Sequence, residues 1–190
     1  MTLDKYNQKR NFNFTEEPKG ENVKSKNDLI FIVQKHAASH LHYDFRLEMN
    51  GVLKSWAIPK GPSMNPNDKR LAIMVEDHPL SYKDFEGTIP EGHYGAGNVI
   101  VWDNGTYTLP EEQSKAATEN KLKTDLEKGH IRFILNGKKL KGEFSLVKLK
   151  TKKENTWLLI KKKDTFAIES DILEENKSVI SNLTLEEFEK

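Results

Sequence analysis

At 190 residues, with 36% hydrophobic and 31% charged content, the chain can build one domain with a real core but holds no apolar run long enough for a bilayer-spanning helix. It has no cysteine, so disulfides and thiolate metal sites are excluded, and any metal must be held by His, Asp, Glu or backbone oxygen. The net charge of +1 averages an uneven chain: residues 121–163 carry 14 Lys/Arg against 4 Asp/Glu, and residues 164–190 carry 2 against 8.

The opening MTLDKYNQKR has no apolar stretch after its charges, which predicts no secretory signal and a cytoplasmic protein. Residues 1–27 are polar and broken by Pro18 and Gly20, and read as an extended arm. The core begins with LIFIV at 29–33. From Leu41 to Met49 apolar and polar residues alternate, a strand signal that places Leu41, Tyr43, Phe45, Leu47 and Met49 on one face and His40, His42, Asp44, Arg46 and Glu48 on the other. Asn50-Gly51 then marks a hairpin turn into VLKSWAI at 52–58. Further strands are predicted at 70–76, 98–103, 106–109, 130–135, 142–149 and 156–161, with turns at Asn104-Gly105 and Asn136-Gly137. A helix is predicted between Pro110 and Gly129, and another from Thr184, where Thr184 and Glu187 form a capping-box pattern. Many short strands with one or two flanking helices predict a mainly β protein, an antiparallel barrel or sandwich. Residues 28–167 form the domain, and 168–190 an acidic tail.

The run HAASHLHYDFR concentrates chemistry. Side chains two apart on one strand face stand roughly 6 to 7 Å apart, so His42, Asp44 and Arg46 share a surface. His36 is six residues before His42, about 20 Å along a straight strand. For both to bind one ion the chain must bend, and Ala37, Ala38 and Ser39 are small enough to allow it. Two imidazoles and a carboxylate leave open coordination positions that suit Mn, Fe or Zn, and a guanidinium beside them binds phosphate. A solvated polar face is the bland reading. A non-haem iron oxygenase could use the same ligands, but it has no need of phosphate binders around them.

Downstream, His78 and Tyr82 lie in EDHPLSYKDFEG, Lys60 in IPKGPS, and Arg70 opens a strand. The glycine-rich GTIPEGHYGAGNV lacks the Lys-Ser/Thr ending of a phosphate-binding P-loop and reads as loop turns. His93 and His130 have no suitably spaced partners, and Trp56, Trp102 and Trp157 read as core. The basic stretch points to a polyanionic partner whose binding falls with salt. An inert nucleic-acid-binding barrel would share that stretch without needing the His-Asp-Arg constellation.

FIVQKHAASHLHYDFRLEMNGVLKSWAIPKGPS, KRLAIMVEDHPLSYKDFEGTIPEGHYGAGNVIVWDNG, LKGEFSLVKLK and TWLLIKKKD closely resemble the 3'-phosphoesterase domain of bacterial DNA ligase D, over most of residues 10–167. The resemblance implies a β-barrel enzyme of DNA end joining that uses manganese. It removes a 3'-terminal ribonucleoside from a primer strand to leave a 3'-phosphate, then hydrolyses that phosphate to a 3'-hydroxyl. By position, the implied metal ligands are His36, His42 and Asp44. The phosphate-binding residues are Arg46, Arg70 and His78, supported by Lys60, Tyr82 and Gln34. In the arm, KRNFNFTEEP matches a stretch with an Asp and, six residues on, a Glu. Glu17 fits the second, but the first is Asn11, which keeps an oxygen acceptor and loses the charge. The sequence shows no nucleotidyl-transfer lysine motif and no polymerase segment, so ligase and polymerase partners are expected as separate chains.

Overall fold

The computed structural model describes residues 3–21, 28–111, 114–151 and 155–188. Parts of the predicted arm (22–27), helix (112–113), basic stretch (152–154) and tail (189–190) lie outside them. The strands are β1 (Ile30–Ala37), β2 (Leu41–Met49), β3 (Val52–Ile58), β4 (Lys69–Met74), β5 (His78–Pro79), β6 (Gly87–Ile89), β7 (Gly97–Thr108), β8 (His130–Gly137), β9 (Lys141–Lys148) and β10 (Thr156–Lys161). Three α-helices accompany them: α1 (Asp4–Gln8), α2 (Lys115–Lys128) and α3 (Leu185–Phe188).

Among the described residues, eight strands run antiparallel in the order β1-β2-β3-β4-β10-β9-β8-β7, and β7 pairs back onto β1 to close a barrel. Closure removes the free edges that an open sheet would expose. The inward residues, among them Phe31, Phe45, Trp56, Trp102, Phe133, Phe144 and Trp157, fill the interior as one cluster. All three tryptophans are core, as read from the strands.

A second apolar cluster lies outside the wall made by β7, β1, β2 and β3. Leu3 and Tyr6 from the arm, Leu80, Tyr82 and Phe85 after β5, and Ile89 of β6 pack over Ile32, Leu53, Val99 and Val101. The polar face of β2 is therefore roofed. This corrects the picture of a half-solvated strand, because the arm and the 78–89 segment bring their own apolar residues to cover it. The arm also holds α1, which polar composition had masked: only Leu3 and Tyr6 bury apolar surface there.

The Asn50-Gly51 turn forms as read, with φ of 50° and 80° at its two residues. The other two Asn-Gly pairs are not turns. Gly105 and Gly137 face each other across the β7–β8 ladder, and a Cβ on Gly105 would sit 2.2 Å from the Asn136 carbonyl oxygen. Their glycines serve close approach, and the predicted strands at 98–103 and 106–109 are one long strand, β7. The chain reverses just after Gly137, where the buried Asp103 carboxylate accepts the amides of Lys138, Lys139 and Leu140 at 3.0, 3.1 and 2.8 Å. Asp103→Ala orphans three amides and is expected to cost about 2 to 4 kcal/mol, measured by denaturant unfolding.

Helix α2 occupies the predicted segment, with Ser114 capping the Ala117 amide at its start and Gly129 left-handed at its end. The Thr184–Glu187 capping box forms reciprocally at 2.8 and 3.3 Å. No described helix is long and apolar enough to cross a membrane. The basic stretch maps to α2, β8, β9 and β10. In the barrel order β9 stands opposite β2, so these charges lie across the barrel from the His-Asp-Arg face. Several are already engaged: Arg132 with Glu143, Lys161 with Asp164, and Lys138 and Lys139 with carbonyls of the C-terminal tail. A polyanion held by this stretch would therefore meet a different face of the barrel from the one carrying His42, Asp44 and Arg46.

Candidate metal and phosphate site

The bend required between His36 and His42 is a tight hairpin. Strand β1 continues through His36 to Ala37, residues 38–40 turn, and His36 then pairs directly with His42 across the ladder. Directly opposed residues hold their Cβ atoms about 5 Å apart, so a 20 Å separation along the chain becomes a side-by-side pair. Gln34 pairs with Asp44 and Ile32 with Arg46, which puts Gln34, His36, His42, Asp44 and Arg46 on one face of two strands. His40 falls in the exposed turn instead.

His36 Nδ1 and His42 Nε2 lie 3.6 and 3.7 Å from the two Asp44 carboxylate oxygens. All three ligand atoms fall within 4.8 Å of one another. Two ligands each about 2.1 Å from one ion lie at most about 4.2 Å apart, so both imidazole–carboxylate separations suit a shared ion. The tautomers are set from behind. His36 Nε2 donates to the Gly95 carbonyl at 2.8 Å, and His42 Nδ1 donates to the His40 carbonyl at 2.9 Å. In the neutral rings the inward nitrogens then carry lone pairs, so three acceptors converge with no donor between them. Such a cluster calls for a cation, and outer N–H groups tied to carbonyls are how metal-ligating histidines are held. The residues fit a divalent ion.

Burial opposes ionisation of Asp44, but the Arg46 guanidinium beside it prevails and holds the carboxyl well below its usual range. Arg46 is 2% exposed and forms the hub of the wall. Its Nε donates to Gln34 Oε1 at 2.8 Å, Nη1 to Ser55 Oγ at 2.8 Å and Nη2 to Asp44 at 3.1 Å. Gln34 is held in turn by the Phe85 carbonyl at 2.9 Å. Of the five guanidinium N–H groups, two have no hydrogen-bond partner among the described residues.

His78 is buried beside this hub. Burial, then the Arg46 and Arg10 guanidiniums, hold its imidazolium form far below its usual range. The neutral ring donates from Nδ1 to the Glu76 carbonyl at 3.0 Å and accepts at Nε2 from Arg10 Nη2 at 3.2 Å. Tyr82 donates its hydroxyl to Glu17 at 3.0 Å, and Arg46 sits 5.1 Å from its ring centroid. Glu17 also accepts from Arg10 Nε at 2.8 Å. The arm residue Arg10 thus ties Glu17, Glu76 and His78 together, a role missed in the sequence although Arg10 stands inside the matched KRNFNFTEEP stretch. No spacing rule could have found it, since the contact spans 68 residues.

Three named residues stand apart. Asn11 is exposed and accepts only a local amide, from Asn13 at 3.3 Å. Lys60 and Arg70 line a separate depression of about 280 Å³ with Asp68, Lys69 and Leu71. Asp44 pairs with Ala57 and Ala57 with Ile73; Arg70, three residues from Ile73, projects from the other side of the sheet and donates to Asp68 at 3.0 Å. If these residues hold phosphate, it is at the barrel rim and not against Asp44.

The chain matches the family model described as the DNA Ligase D 3'-phosphoesterase domain over residues 34–148. It is 48% identical over 96% of its length to the multifunctional non-homologous end joining protein LigD of Pseudomonas aeruginosa. It is 39% identical over 85% of its length to the protein of that name from Mycolicibacterium smegmatis. The matches cover 22% and 21% of those relatives, so the chain spans about a fifth of their length. The matched region runs from Gln34 through His36, His42, Asp44 and Arg46 to His78 and Tyr82 and beyond, and the chain belongs to the DNA ligase D 3'-phosphoesterase domain family.

Proposed function

We propose that this chain is a manganese-dependent phosphoesterase that processes 3' ends of DNA and RNA primer strands in end-joining repair. It removes a 3'-terminal ribonucleoside to leave a 3'-phosphate and then hydrolyses that phosphate to a 3'-hydroxyl, alongside ligase and polymerase activities. The observation that carries this reading is the convergence of three acceptors, His36 Nδ1, His42 Nε2 and Asp44, directly against a buried arginine with two N–H groups unpartnered among the described residues.

His36, His42 and Asp44 would hold the ion, which when bound polarises a phosphoryl oxygen and lowers the pKa of water. Arg46, fixed by Gln34, Ser55 and Asp44, meets charge developing on the phosphate without having to reorganise. In each hydrolysis water adds to phosphorus, the ester P–O bond breaks, and the departing oxygen leaves with a proton. His78 accepts from Arg10 Nη2 at its Nε2, so in this arrangement it positions that guanidinium. Arg10 brings the second guanidinium to the site.

The test is to incubate the protein with a primer-template ending in ribonucleotides and to resolve products by length and terminal phosphate. Manganese is expected to yield first a shortened strand with a 3'-phosphate and then a 3'-hydroxyl, and chelation to stop both steps. Strand binding without any product, with or without manganese, would overturn the reading in favour of an inert binding barrel.

A further inference from the structure

The loop between β6 and β7 ends against the candidate metal ligand, since the Gly95 carbonyl accepts a hydrogen bond from His36 Nε2. Two residues earlier, His93 stacks on Phe14 of the arm, with ring centroids 5.8 Å apart and planes at 28°. Two residues of chain span at most about 7 Å, so this stack stands close beside the His36 contact. Phe14 is 65% exposed, the largest value among the described large hydrophobics. One side of its ring meets His93, and most of the residue is open to solvent.

Between them lies Tyr94, 48% exposed. Lys9 Nζ sits 4.3 Å from its ring centroid and donates to its hydroxyl at 3.2 Å and to Glu76 at 2.9 Å. Arm and loop therefore meet as a small aromatic surface with a cation at its edge. A single exposed aromatic needs no explanation. This one is backed by a second ring that a short loop joins to the His36 contact, and the Tyr94 ring of the same loop carries the Lys9 ammonium. Aromatic platforms beside cations are how proteins hold single-stranded nucleic acid, because every base offers a π-face.

We propose that the exposed ring of Phe14 is a stacking platform for the nucleobase at the reacting 3' end. His93 backs the ring, and Lys9 meets the neighbouring backbone phosphate. The inference rests on the reading that the reacting group is the 3'-phosphate of a strand, and it assigns that strand's path over the arm. Stacking tolerates any base, so the platform orients the end without reading sequence.

The test uses the manganese-loaded chain and 3'-phosphorylated primers carrying 2-aminopurine, or an abasic sugar, as the terminal nucleotide. Wild type is expected to quench 2-aminopurine on binding. Phe14→Ala is expected to lose the quench and to raise KM about tenfold, with kcat changed far less; Phe14→Trp should restore both. An abasic end should raise the wild-type KM by a similar factor, and Phe14→Ala should add nothing to it. Equal quench and equal KM in wild type and Phe14→Ala would overturn the platform. So would a Phe14→Ala defect that persists undiminished on the abasic end, since that marks a structural role in the arm. If wild type releases no phosphate from any strand, the proposed function falls, and the quench comparison still decides the platform.

Discussion

His42→Ala is expected to lower 3'-phosphate release on the order of 10³-fold or more, while the protein melts within about 2 °C of the parent. His42 is the most exposed of the three candidate ligands, with 22% of its side chain accessible, and its one described hydrogen bond is to the nearby His40 carbonyl. Removing it empties one ligand position without opening the wall. A thermal-shift titration separates metal binding from turnover. Manganese at a hundredfold excess over Kd should stabilise the parent by about 2.7 kcal/mol and the variant by far less. Retained phosphate release in His42→Ala, or an unchanged manganese shift, would remove the ligand assignment.

Arg46 should show the opposite balance, with stability and activity lost together. Arg46→Met leaves Asp44 charged and buried without its guanidinium, and strips Gln34 and Ser55 of their donors. Breaking a buried pair from one side costs about 3 to 5 kcal/mol, a melting drop of about 10 °C for a chain of this size. Arg46→Lys should rescue little, because an ammonium cannot present a planar fork to Gln34, Ser55 and Asp44 at once. Calorimetry and phosphate release on the two variants check both halves. An Arg46→Lys protein that melts and turns over like the parent would sink the hub assignment. Since manganese can replace part of the missing positive charge beside Asp44, it should return some of the stability lost in Arg46→Met.

Much of this was legible before folding. Alternation through 41–49 settled strand, face and neighbour relations for His42, Asp44 and Arg46, because a period of two leaves no choice about which side chains share a surface. The need for a bend after His36 followed from chain length alone. The turns illustrate the limit: three Asn-Gly pairs look alike in sequence, yet only Asn50-Gly51 turns. At Gly105 and Gly137 the glycine answers a close backbone approach between strands brought together by barrel closure.

The amino-acid sequence by itself determined most of the barrel strands, the mainly β class and the candidate ligands His36, His42 and Asp44, all of which rest on local periodicity and motif. Tertiary structure alone decided that the polar face is buried, that Arg10 reaches His78 and Glu17 from the arm, and that Lys60 and Arg70 stand elsewhere. It also set the basic stretch on the far wall. These depend on which remote segments pack together, and contacts across many tens of residues have no periodicity to betray them.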